Sequence, residues 1–404
     1  MKVLHISIGV PLSSAGGVTL YVRALTSAQA RMGLDVHVLA RPEKEPLILD
    51  GVNIHTYVPS SVVPFALRNT EKDPSVEEVW KLLREERFDL VHFHMVLDFP
   101  LEFFRDFPAM GIPYVVSLHD YSHICPRIFM YDSDTNVCRT VDLNKCRTCI
   151  SAFDQIEILR RAQRKFKVSL PRIPSSAAEV RMQTMKPFLE RANLLLPVSN
   201  RTSEIYREVA PEGRFRTEQI GNESAVVPPA VKTPSPKLRV TALSTLSKMK
   251  GAGVLEALMK RVTRNDIEFQ FFGRAYEGFD ERLRKLGLVC RGSYAPSDIP
   301  RIMSETDIGL VLPIWEDNGP QIAMEFINNH VYVLGTTRGG VPDLVAENAG
   351  MLFDPDDSAQ VDRVAAWLQN VKKSDIEAMS AGIQRLKTPD EHAEQITALY
   401  AQVV

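Results

Sequence analysis

The sequence predicts an α/β protein of two domains, each built on a parallel β-sheet with helices on both faces. Short, nearly continuous apolar segments alternate with helical segments, which is typical of strands that are buried on both sides of a sheet. The alternation starts at residue 2, stops at a proline-rich segment at 226–236, and then starts again. A chain of 404 residues is also longer than one hydrophobic core usually supports.

The predicted elements of the first half alternate in chain order. Strands are predicted at residues 2–9, 35–40, 88–94, 113–119 and 194–199. Helices are predicted at residues 18–32, 75–86 and 98–107, and from residue 201. Four prolines among residues 228–236 then predict the linker between the domains, because proline cannot continue a helix or a central strand. The first domain is placed at residues 1–230, with a cysteine-rich loop at 121–150.

The second half repeats this architecture without repeating the sequence. Strands are predicted at residues 238–243, 267–272 and 331–335, and from residue 350. Helices are predicted from about residue 253, from residue 320, and at residues 391–402. The second domain is placed at residues 231–388, and a last segment at 389–404 carries the final helix.

Composition argues against several classes of protein. The formal net charge of −2 gives no overall field for binding nucleic acid. No apolar run approaches the roughly 18 residues that cross a bilayer, and residues 1–8 are too short and too interrupted for the core of a signal peptide. The protein is therefore expected in the cytoplasm.

The most informative segment for function is an acidic loop that runs into a helix. Asp317 lies in the loop, and Glu325 lies within the first two turns of the helix. Pro320 suits the first helical position, with Asn318 or Gly319 as the cap. The open N–H groups of the first turn favour anionic or hydroxyl-rich ligands. A buried stripe is expected on this helix at Ile322, Ala323 and Phe326, which would let Glu325 face the same cleft as Asp317. A capped surface helix with two solvated acids explains these residues equally well.

The segments that follow favour the functional interpretation. A β-branched strand at 331–335 leads into Arg338-Gly339-Gly340-Val341-Pro342-Asp343, and Gly350-Met351-Leu352-Phe353-Asp354-Pro355 comes after it. The order is an acidic loop, a helix with a glutamate, a strand, a Gly-Gly-x-Pro-acid loop and a Gly-hydrophobic-Asp-Pro turn. It resembles the donor half of the glycosyl transferases group 1, also called family four. The resemblance spans nearly the whole chain.

This resemblance implies the GT-B fold, in which two Rossmann-like domains with parallel sheets face each other across a deep cleft. It implies a retaining, metal-independent glycosyltransferase that moves a sugar from a nucleotide-sugar donor to a glycan or lipid-linked acceptor. Synthesis of cell-surface polysaccharide or glycoconjugate is the expected setting, and no cofactor is expected to be required for catalysis. The helix near residues 391–402 resembles the one that crosses back onto the first domain in this family.

Candidate site residues of the first half lie in loops that follow strands, where ligands of such sheets bind. Gly16 and Gly17 let backbone N–H groups approach a phosphate, although a tight strand-to-helix turn would also use glycines. His119 ends a strand, and the resemblance assigns it a catalytic contact with the donor sugar. His92 and His94 lie within a strand and are predicted to be packed or structural.

In the second half the resemblance assigns Lys250 to the diphosphate and Glu325 to the ribose hydroxyls. It assigns Asp317 to the reacting sugar as a catalytic residue. Asn318 and Gly319, which adjoin this acid, are candidate donor-binding residues.

The chain departs from the family pattern at two of these places. The arginine usually found five residues before Lys250 is Thr245, which removes a cation from the diphosphate site. Lys248 or Arg274 is expected to compensate. The first acid of the pattern is usually glutamate and is Asp317 here, which shortens its reach by one methylene.

Four cysteines lie within 25 residues, and the fifth, Cys290, is isolated. The four are Cys125, Cys138, Cys146 and Cys149. Because the cytoplasm keeps thiols reduced, one structural zinc is favoured over a disulfide framework. Reduced thiols without a ligand are the second interpretation and disulfides the third. Zinc would hold a loop that is otherwise expected to be poor in apolar anchors.

Residues 160–172 combine six basic residues with the larger apolar residues Phe166, Val168 and Leu170. As a helix this segment would be amphipathic and able to contact an anionic membrane surface or a lipid-linked phosphate, placing the protein at the inner face of the membrane. A solvated charged face is the commoner explanation, and we favour it narrowly. The nearby Asp132-Ser133-Asp134 imitates the D-x-D of metal-dependent transferases and is set aside as a chance match.

Two other functions stay open at the level of sequence. A nucleotide-sugar epimerase of the same fold would convert the donor without an acceptor. A non-catalytic paralogue that only binds nucleotide sugars is suggested by Thr245 and Asp317. A nicotinamide-dependent oxidoreductase is disfavoured because the G-x-G-x-x-G fingerprint is absent.

Overall fold

The computed structural model describes residues 1–9, 16–42, 48–58, 73–95, 97, 99–156, 159, 165–166 and 171–404. Contacts divide the chain into two units, Met1–Ile220 with Pro389–Val404 and Gly221–Thr388. Within the described residues each unit has one six-stranded sheet, and the strand pairs of both sheets are parallel. The predicted fold class of two parallel α/β domains is confirmed.

The first unit has the strand order of a Rossmann fold. Its strands are β1 Lys2–Ile6, β2 Asp35–Ala40, β3 Val52–Thr56, β4 Leu90–Phe93, β5 Tyr114–Leu118 and β6 Leu194–Pro197. Its α-helices within the described residues up to residue 220 are α1 Gly17–Arg31, α2 Val76–Glu86, α3 Leu101–Asp106, α4 Leu143–Cys149, α5 Ala177–Glu190 and α6 Asn200–Val209. The sheet order is β3-β2-β1-β4-β5-β6, so the direction of winding reverses between β1 and β4.

The second unit repeats this arrangement. Its strands are β7 Leu238–Leu246, β8 Ile267–Ala275, β9 Val289–Gly292, β10 Ile308–Val311, β11 Tyr332–Thr336 and β12 Gly350–Phe353. Its helices are α7 Ala252–Arg261, α8 Phe279–Arg284, α9 Ile299–Ser304, α10 Gln321–Asn328, α11 Val341–Leu344, α12 Ser358–Asn370 and α13 Lys373–Ala381. The order β12-β11-β10-β7-β8-β9 reverses between β10 and β7, where ligands of open α/β sheets usually bind.

The last helix, α14 Pro389–Tyr400, belongs to the first unit. It packs against α1, where the hydroxyl of Tyr21 lies 2.9 Å from Nε2 of His392. Its final residue, Tyr400, is fully buried and its hydroxyl is hydrogen-bonded to Nδ1 of His92. The last described helix therefore packs against the sheet of the first unit.

Strands β3, β9 and β10 lie outside the predicted segments. β3 and β9 are edge strands that are half-buried or exposed along their length, so they lack the continuous apolar run of a central strand. β10 is central and fully buried, but it is only four residues long. Strands as short as these give a weak periodic signal both at the edge and at the centre of a sheet.

The proline-rich segment at 226–236 is not a free linker. The backbone N–H of Ala230 donates to Oδ1 of Asn329 at 3.1 Å. The backbone N–H of Thr233 donates to the carbonyl oxygen of Ser304 at 2.9 Å. The segment is thus attached to the second unit, and the units divide after residue 220 and not at the predicted residue 230.

No helix in the described part of the chain has the length and hydropathy required to cross a bilayer. The basic segment at 160–172 lies mostly outside the described residues, as do residues 10–15 of the first glycine-containing loop.

Candidate functional site

An ion pair joins two loops at the carboxyl edge of the second sheet. Nζ of Lys250, in the loop after β7, lies 2.5 Å from Oδ2 of Asp317, in the loop after β10. The same ammonium lies 5.3 Å from the centroid of the Trp315 ring, a cation–π distance. The structure therefore brings together two predicted site residues that are 67 positions apart in the sequence.

Two glycines allow the loops around this ion pair to approach closely. Gly251 has φ +80°, and a Cβ there would lie 1.8 Å from the carbonyl oxygen of Leu312. Gly339 has φ +56°, and a Cβ there would lie 2.0 Å from the carbonyl oxygen of Asp317. A side chain at either position would separate the loops, so both glycines are required by the packing.

Glu316 is a site residue that the sequence reasoning missed. It is only 2% exposed, and its Oε2 accepts a hydrogen bond from the backbone N–H of Gly339 at 3.2 Å. The backbone N–H of Gly340 donates to the carbonyl oxygen of Asp317 at 2.7 Å. Glu316 thus positions the Gly-Gly loop against the acidic loop. The only sequence signal was a second acid directly beside Asp317.

Three polar side-chain atoms of the acidic loop and its helix are buried without hydrogen-bond partners. Asn318 is 3% exposed, and neither atom of its amide has a partner. Oε2 of Glu325 is also buried and without a partner. Buried polar groups normally find partners, because leaving one open costs about 1–3 kcal/mol. The two oxygen atoms are therefore positioned to accept hydrogen bonds from a ligand, and the amide nitrogen is positioned to donate them.

The carboxyl group of Glu325 titrates far from its ordinary range. Burial raises the pKa of Glu325 to about 7. Burial, together with the negative charge of Glu325, raises the pKa of the Tyr294 hydroxyl to about 12. Near neutral pH the Glu325 carboxyl therefore changes between a hydrogen-bond donor and a charged acceptor.

Helix α10 begins one residue later than predicted. Its first residue is Gln321, and Pro320 occupies the cap position without a side-chain hydrogen bond. Asn318 and Gly319 are therefore not helix caps, contrary to the prediction. The predicted buried stripe is also wrong at Ile322, which lines a pocket instead of the core. The buried residues of α10 are Ala323, Met324, Phe326, Ile327 and Asn328.

A small pocket that is open to solvent lies beside the ion pair. Thr245, Lys250, Asp317 and Ile322 are among its lining residues. Arg274 is exposed and stands opposite Thr245 in the pairing of β7 with β8. A cation thus lies beside the position where the family pattern has arginine.

The strand end before Thr245 has an unusual backbone. Ser244 has φ +82°, in the left-handed region that non-glycine residues rarely adopt. A Cβ on the opposing Gly273 would lie 1.8 Å from the carbonyl oxygen of Ser244. Backbone strain of this kind concentrates at functional sites, and no pattern in the sequence indicated it.

His119 follows β5 in the first unit. Its Nε2 lies 3.3 Å from Nδ1 of His94, and its ring centroid lies 4.6 Å from that of Tyr21. Burial lowers the pKa of His119 to about 3, so the imidazole is neutral and has one N–H donor and one acceptor. The adjacent Asp120 instead accepts a hydrogen bond from the backbone N–H of Ser122 at 2.7 Å.

Gly16 and Gly17 stand at the start of α1. Gly16 has an ordinary φ of −86°, and a Cβ there would meet no atom within 4 Å. The described turn therefore has room for a side chain at residue 16, so packing does not account for this glycine.

Residues 15–217 match the family model Glycosyltransferase Family 4, which covers about half of the chain. The chain belongs to glycosyltransferase family 4. A search of curated protein sequences finds no match.

Solved structures resemble this family 4 protein over its whole length. Sucrose-phosphate synthase from Thermosynechococcus elongatus has a TM-score of 0.65 and 17% identity, covering 99% of this chain and 98% of its own. HepE from Anabaena in complex with UDP has a TM-score of 0.64 and 15% identity, covering 100% of both chains. The catalytic domain of starch synthase IV from Arabidopsis thaliana, bound to ADP and acarbose, has a TM-score of 0.62 and 12% identity, covering 100% and 99%. The likeness confirms the predicted GT-B fold.

The four clustered cysteines of this family 4 protein line one pocket. Cys146 and Cys149 lie on α4, one turn apart as predicted. Burial, with the neighbouring thiols as a further cause, raises the pKa of Cys125 to about 11 and that of Cys146 to about 12. Nζ of Lys145 lies 3.6 Å from Sγ of Cys138. The isolated Cys290 is half-buried on β9.

The prediction that this loop lacks apolar anchors is wrong. Ile124, Met130 and Ile150 are each at most 3% exposed. The Asp132-Ser133-Asp134 turn is also part of the loop's own structure. Asp132 accepts hydrogen bonds from the backbone N–H groups of Asp134 and Asn136, and it pairs with Lys145 at 2.8 Å.

Proposed function

We propose that this family 4 protein transfers a sugar from a nucleotide-sugar donor to a saccharide or lipid-linked acceptor, with retention of configuration and without a catalytic metal. The observation that carries the proposal is the set of polar groups at the carboxyl edge of the second sheet. Lys250 is held by Asp317, while the amide of Asn318 and one oxygen of Glu325 are buried and open. A cation suits the diphosphate of a nucleotide sugar, and side-chain oxygens without partners suit its hydroxyl groups.

Glu325 suits the ribose of such a donor. An ionised carboxylate can accept hydrogen bonds from two neighbouring hydroxyls, and Oε2 of Glu325 has no partner of its own. Because burial raises the pKa of Glu325 to about 7, binding two hydroxyl donors is expected to favour its ionised form and lower that pKa.

Lys250 suits the diphosphate. Its side chain is 37% exposed, so the ammonium can reach a ligand while it stays near Asp317. Helix α7 begins two residues later, at Ala252, and the N–H groups of its first turn add positive potential. These groups would stabilise the negative charge that develops on the leaving diphosphate. Arg274 is another cation at this edge of the second sheet. It is proposed to replace the arginine that the family pattern has at position 245, where this chain has threonine.

The proposed transfer is a front-face substitution. The acceptor oxygen forms a bond to the anomeric carbon on the side where the bond to the diphosphate oxygen breaks, and that phosphate oxygen takes the acceptor proton. His119 is neutral and donates or accepts one hydrogen bond at the donor sugar. Asp317 is proposed to contact the hydroxyls of the same sugar, and Gly16 and Gly17 to bring backbone N–H groups to the phosphates.

The ligands bound in similar solved structures support a nucleotide-sugar donor. HepE was solved with UDP and with UDP-glucose, and starch synthase IV with ADP. Each of these ligands is a nucleoside diphosphate or its sugar ester.

The test is a panel of UDP-, GDP-, ADP- and TDP-sugars, screened by thermal shift and then incubated with saccharide and lipid-linked acceptors. A donor that binds the folded protein raises its stability with the logarithm of its concentration. Transfer that needs both donor and acceptor is the expected result. Conversion of the donor alone would show an epimerase, and binding without turnover across the acceptors would show the non-catalytic paralogue that Thr245 suggests.

The cysteine pocket is proposed to hold one structural zinc. Four thiolates are a common tetrahedral zinc set, and all four cysteines line one pocket. Burial raises the thiol pKa of Cys125, Cys138 and Cys146, and zinc would deprotonate its cysteine ligands on binding. Zinc would have to draw the sulfur atoms together, because no three of them lie within 4.8 Å of one another among the described residues.

Contact with a membrane through residues 160–172 stays the alternative to a solvated charged face. Sedimentation with vesicles of anionic and of zwitterionic lipids tests it, and equal binding to both, or to neither, would contradict an electrostatic contact.

A further inference from the structure

A line of buried polar side chains leads from the interior of the first unit to His119. His5 lies on β1, and His94 directly follows β4. His5, Gln29 and His94 are each at most 1% exposed, whereas His119 is half-buried. Nδ1 of His5 lies 3.0 Å from Nε2 of His94, and Nδ1 of His94 lies 3.3 Å from Nε2 of His119. The three imidazoles thus form a continuous chain that ends at the residue proposed to contact the donor sugar.

Both contacts have the geometry of hydrogen bonds in the plane of the rings. The ring centroids of His5 and His94 are 5.3 Å apart and their planes differ by 8°. The ring centroids of His94 and His119 are 5.6 Å apart and their planes differ by 23°. In each pair the centroids are farther apart than the nitrogens by about one ring diameter, so the nitrogens lie near the line between the ring centres. An imidazole N–H points outward along such a line, which gives a nearly straight hydrogen bond.

The N–H groups of this chain must all point the same way. Burial lowers the pKa of His5 and that of His119 to about 3, and it lowers the pKa of His94 well below its ordinary value. All three rings are therefore neutral near pH 7, and each has one N–H donor and one acceptor nitrogen. Each contact needs a proton on one nitrogen and a lone pair on the other. The protons accordingly point either from His119 toward His5 or in the opposite direction.

Gln29 decides between the two directions. Its Nε2 donates to the hydroxyl of Thr397 at 3.3 Å, which leaves Oε1 for another partner. Oε1 of Gln29 and Nε2 of His5 are both buried without a hydrogen bond of good geometry, yet Gln29 lies close enough to raise the pKa of His5 against the effect of burial. An amide oxygen only accepts, so the proton of His5 belongs on Nε2. The opposite direction would bring two buried acceptors together and leave both unsatisfied.

We infer that Gln29 acts through His5 and His94 to hold the proton of His119 on Nε2. With every Nε2–H directed toward Gln29, the lone pair of His119 stays on Nδ1. Within the described residues the His119 side chain makes one hydrogen bond, through Nε2, so this lone pair is open to a ligand. His119 is thereby an acceptor for a hydroxyl group of the donor sugar, and only this last contact rests on the proposed function. Gln29, His5 and His94 are positioning residues, because the tautomer of a histidine is set by the bond that its other nitrogen makes.

The test is the tautomer of His119 in the free, full-length chain, measured near pH 7 by NMR of protein labelled with ¹⁵N-histidine. An imidazole nitrogen resonates at a different frequency when it carries a proton than when it carries a lone pair. His119→Asn identifies the resonances of His119 by their loss. Wild type should show the proton on Nε2 and the lone pair on Nδ1. A proton on Nδ1 of His119 would overturn the inference, and this result requires no change at Gln29.

The role of Gln29 is tested by Gln29→Met, which keeps the length of the side chain but has no amide oxygen. The His119 resonances should then shift toward a mixture of both tautomers. The control is the pair of His37 and His55 in the same sheet, whose Nδ1 and Nε2 lie 2.8 Å apart, with Asp35 at 3.2 Å from the other nitrogen of His37. Its resonances should not change. Unchanged His119 resonances, or an equal shift in the control pair, would remove Gln29 from its positioning role.

The contact with the sugar is tested separately, by binding of donor analogues in which each sugar hydroxyl in turn is replaced by hydrogen or by fluorine. Neither group can donate a hydrogen bond, but fluorine can weakly accept one. Both replacements at the contacted hydroxyl should weaken binding equally, by roughly three- to tenfold, and the loss should vanish in His119→Ala. A fluorinated donor that binds as tightly as its parent would show that His119 donates and would overturn the inference. If no nucleotide sugar binds at all, the proposed function fails, and the tautomer of His119 is decided by the NMR measurement alone.

Discussion

Glu325 shows, at the scale of one residue, how a group proposed to bind the donor can lower stability. Its carboxyl has a pKa of about 7 in the fold, against an ordinary value of 4.5, because burial disfavours the charge. Between these values the folded state holds a proton that the unfolded chain has released. The stability that this group contributes is therefore present below pH 4.5 and is lost as the pH rises toward 7.

Replacing this glutamate should separate stability from binding. Glu325→Gln should raise the free energy of unfolding at pH 8 by up to about 3 kcal/mol, and change it little near pH 4.5. The same variant should bind nucleotide roughly one to three kcal/mol more weakly, because the charged acceptor is lost. Urea unfolding at both pH values and calorimetric titration measure the two effects. Glu377→Gln, an exposed acid of the same unit, is the control, and a Glu325 variant no more stable than wild type at pH 8 would contradict the buried charge.

Lys250 allows a second test at the residue scale. Lys250→Ala should weaken nucleotide binding by roughly one to three kcal/mol with the fold intact, because a charge-assisted contact to the diphosphate is removed. Lys260→Ala removes an exposed lysine that pairs with Glu256 on α7 and should leave binding unchanged. Titration with the nucleoside diphosphate alone is the measurement. Equal affinities in the two variants would remove Lys250 from the site.

His119 should affect the reaction more than binding. His119→Ala is expected to lower kcat by a larger factor than it raises the dissociation constant of the donor, since the proposed contact is at the reacting sugar. Circular dichroism would check that the buried cluster around His94 survives the substitution. A variant with weaker donor binding and an unchanged kcat would assign His119 to binding only.

At the scale of elements, the sequence predicted long apolar strands better than the contacts between loops. Strand β2 was predicted at its observed bounds, because its alternation is clear and its ends are marked. Local sequence patterns could not predict the ion pair of Lys250 with Asp317, because it depends on how two loops meet at one edge of the sheet. Glu316 was missed for the same reason, as its partner is the backbone of Gly339.

The cysteine loop shows a different limit of sequence reasoning. Its spacing correctly placed Cys146 and Cys149 on one turn of α4. Its apolar anchors were not expected, because Ile124, Met130 and Ile150 are separated by polar residues and form no periodic pattern. A loop with such anchors keeps part of its order without a metal.

The zinc proposal for this loop is tested by Cys149→Ser. The variant should lose about one zinc per chain, because one of four ligands is removed. Because the loop has its own buried anchors, proteolysis within residues 121–150 should rise only modestly. Metal analysis and limited proteolysis, with Cys290→Ser as the control, measure both effects. Unchanged zinc content together with four freely titrating thiols would leave these cysteines as ordinary half-buried residues.

At the scale of the whole molecule, the two units have the same sheet topology. Both sheets have the Rossmann order, so each places loops at the carboxyl ends of strands beside the point where the winding reverses. The candidate groups of the second unit lie in the loops after β7 and β10, the two strands at its reversal point. The fold class could be predicted because hydrophobic alternation repeats in both halves. The polar groups could be assigned only through the resemblance, since their chemistry is not periodic.

The reaction of the whole enzyme is proposed to need no divalent cation. Glycosyl transfer should survive brief treatment with a chelator, because Lys250 and helix N-termini are proposed to neutralise the leaving diphosphate in place of a divalent cation. The Asp132-Ser133-Asp134 turn is engaged within its own loop and is not expected to supply such a cation site. The zinc ion proposed for the cysteine pocket is structural and should leave slowly. Initial rates with chelator, with added magnesium and with added manganese are compared. Immediate loss of activity that either ion restores would assign the diphosphate to a metal and remove that role from Lys250.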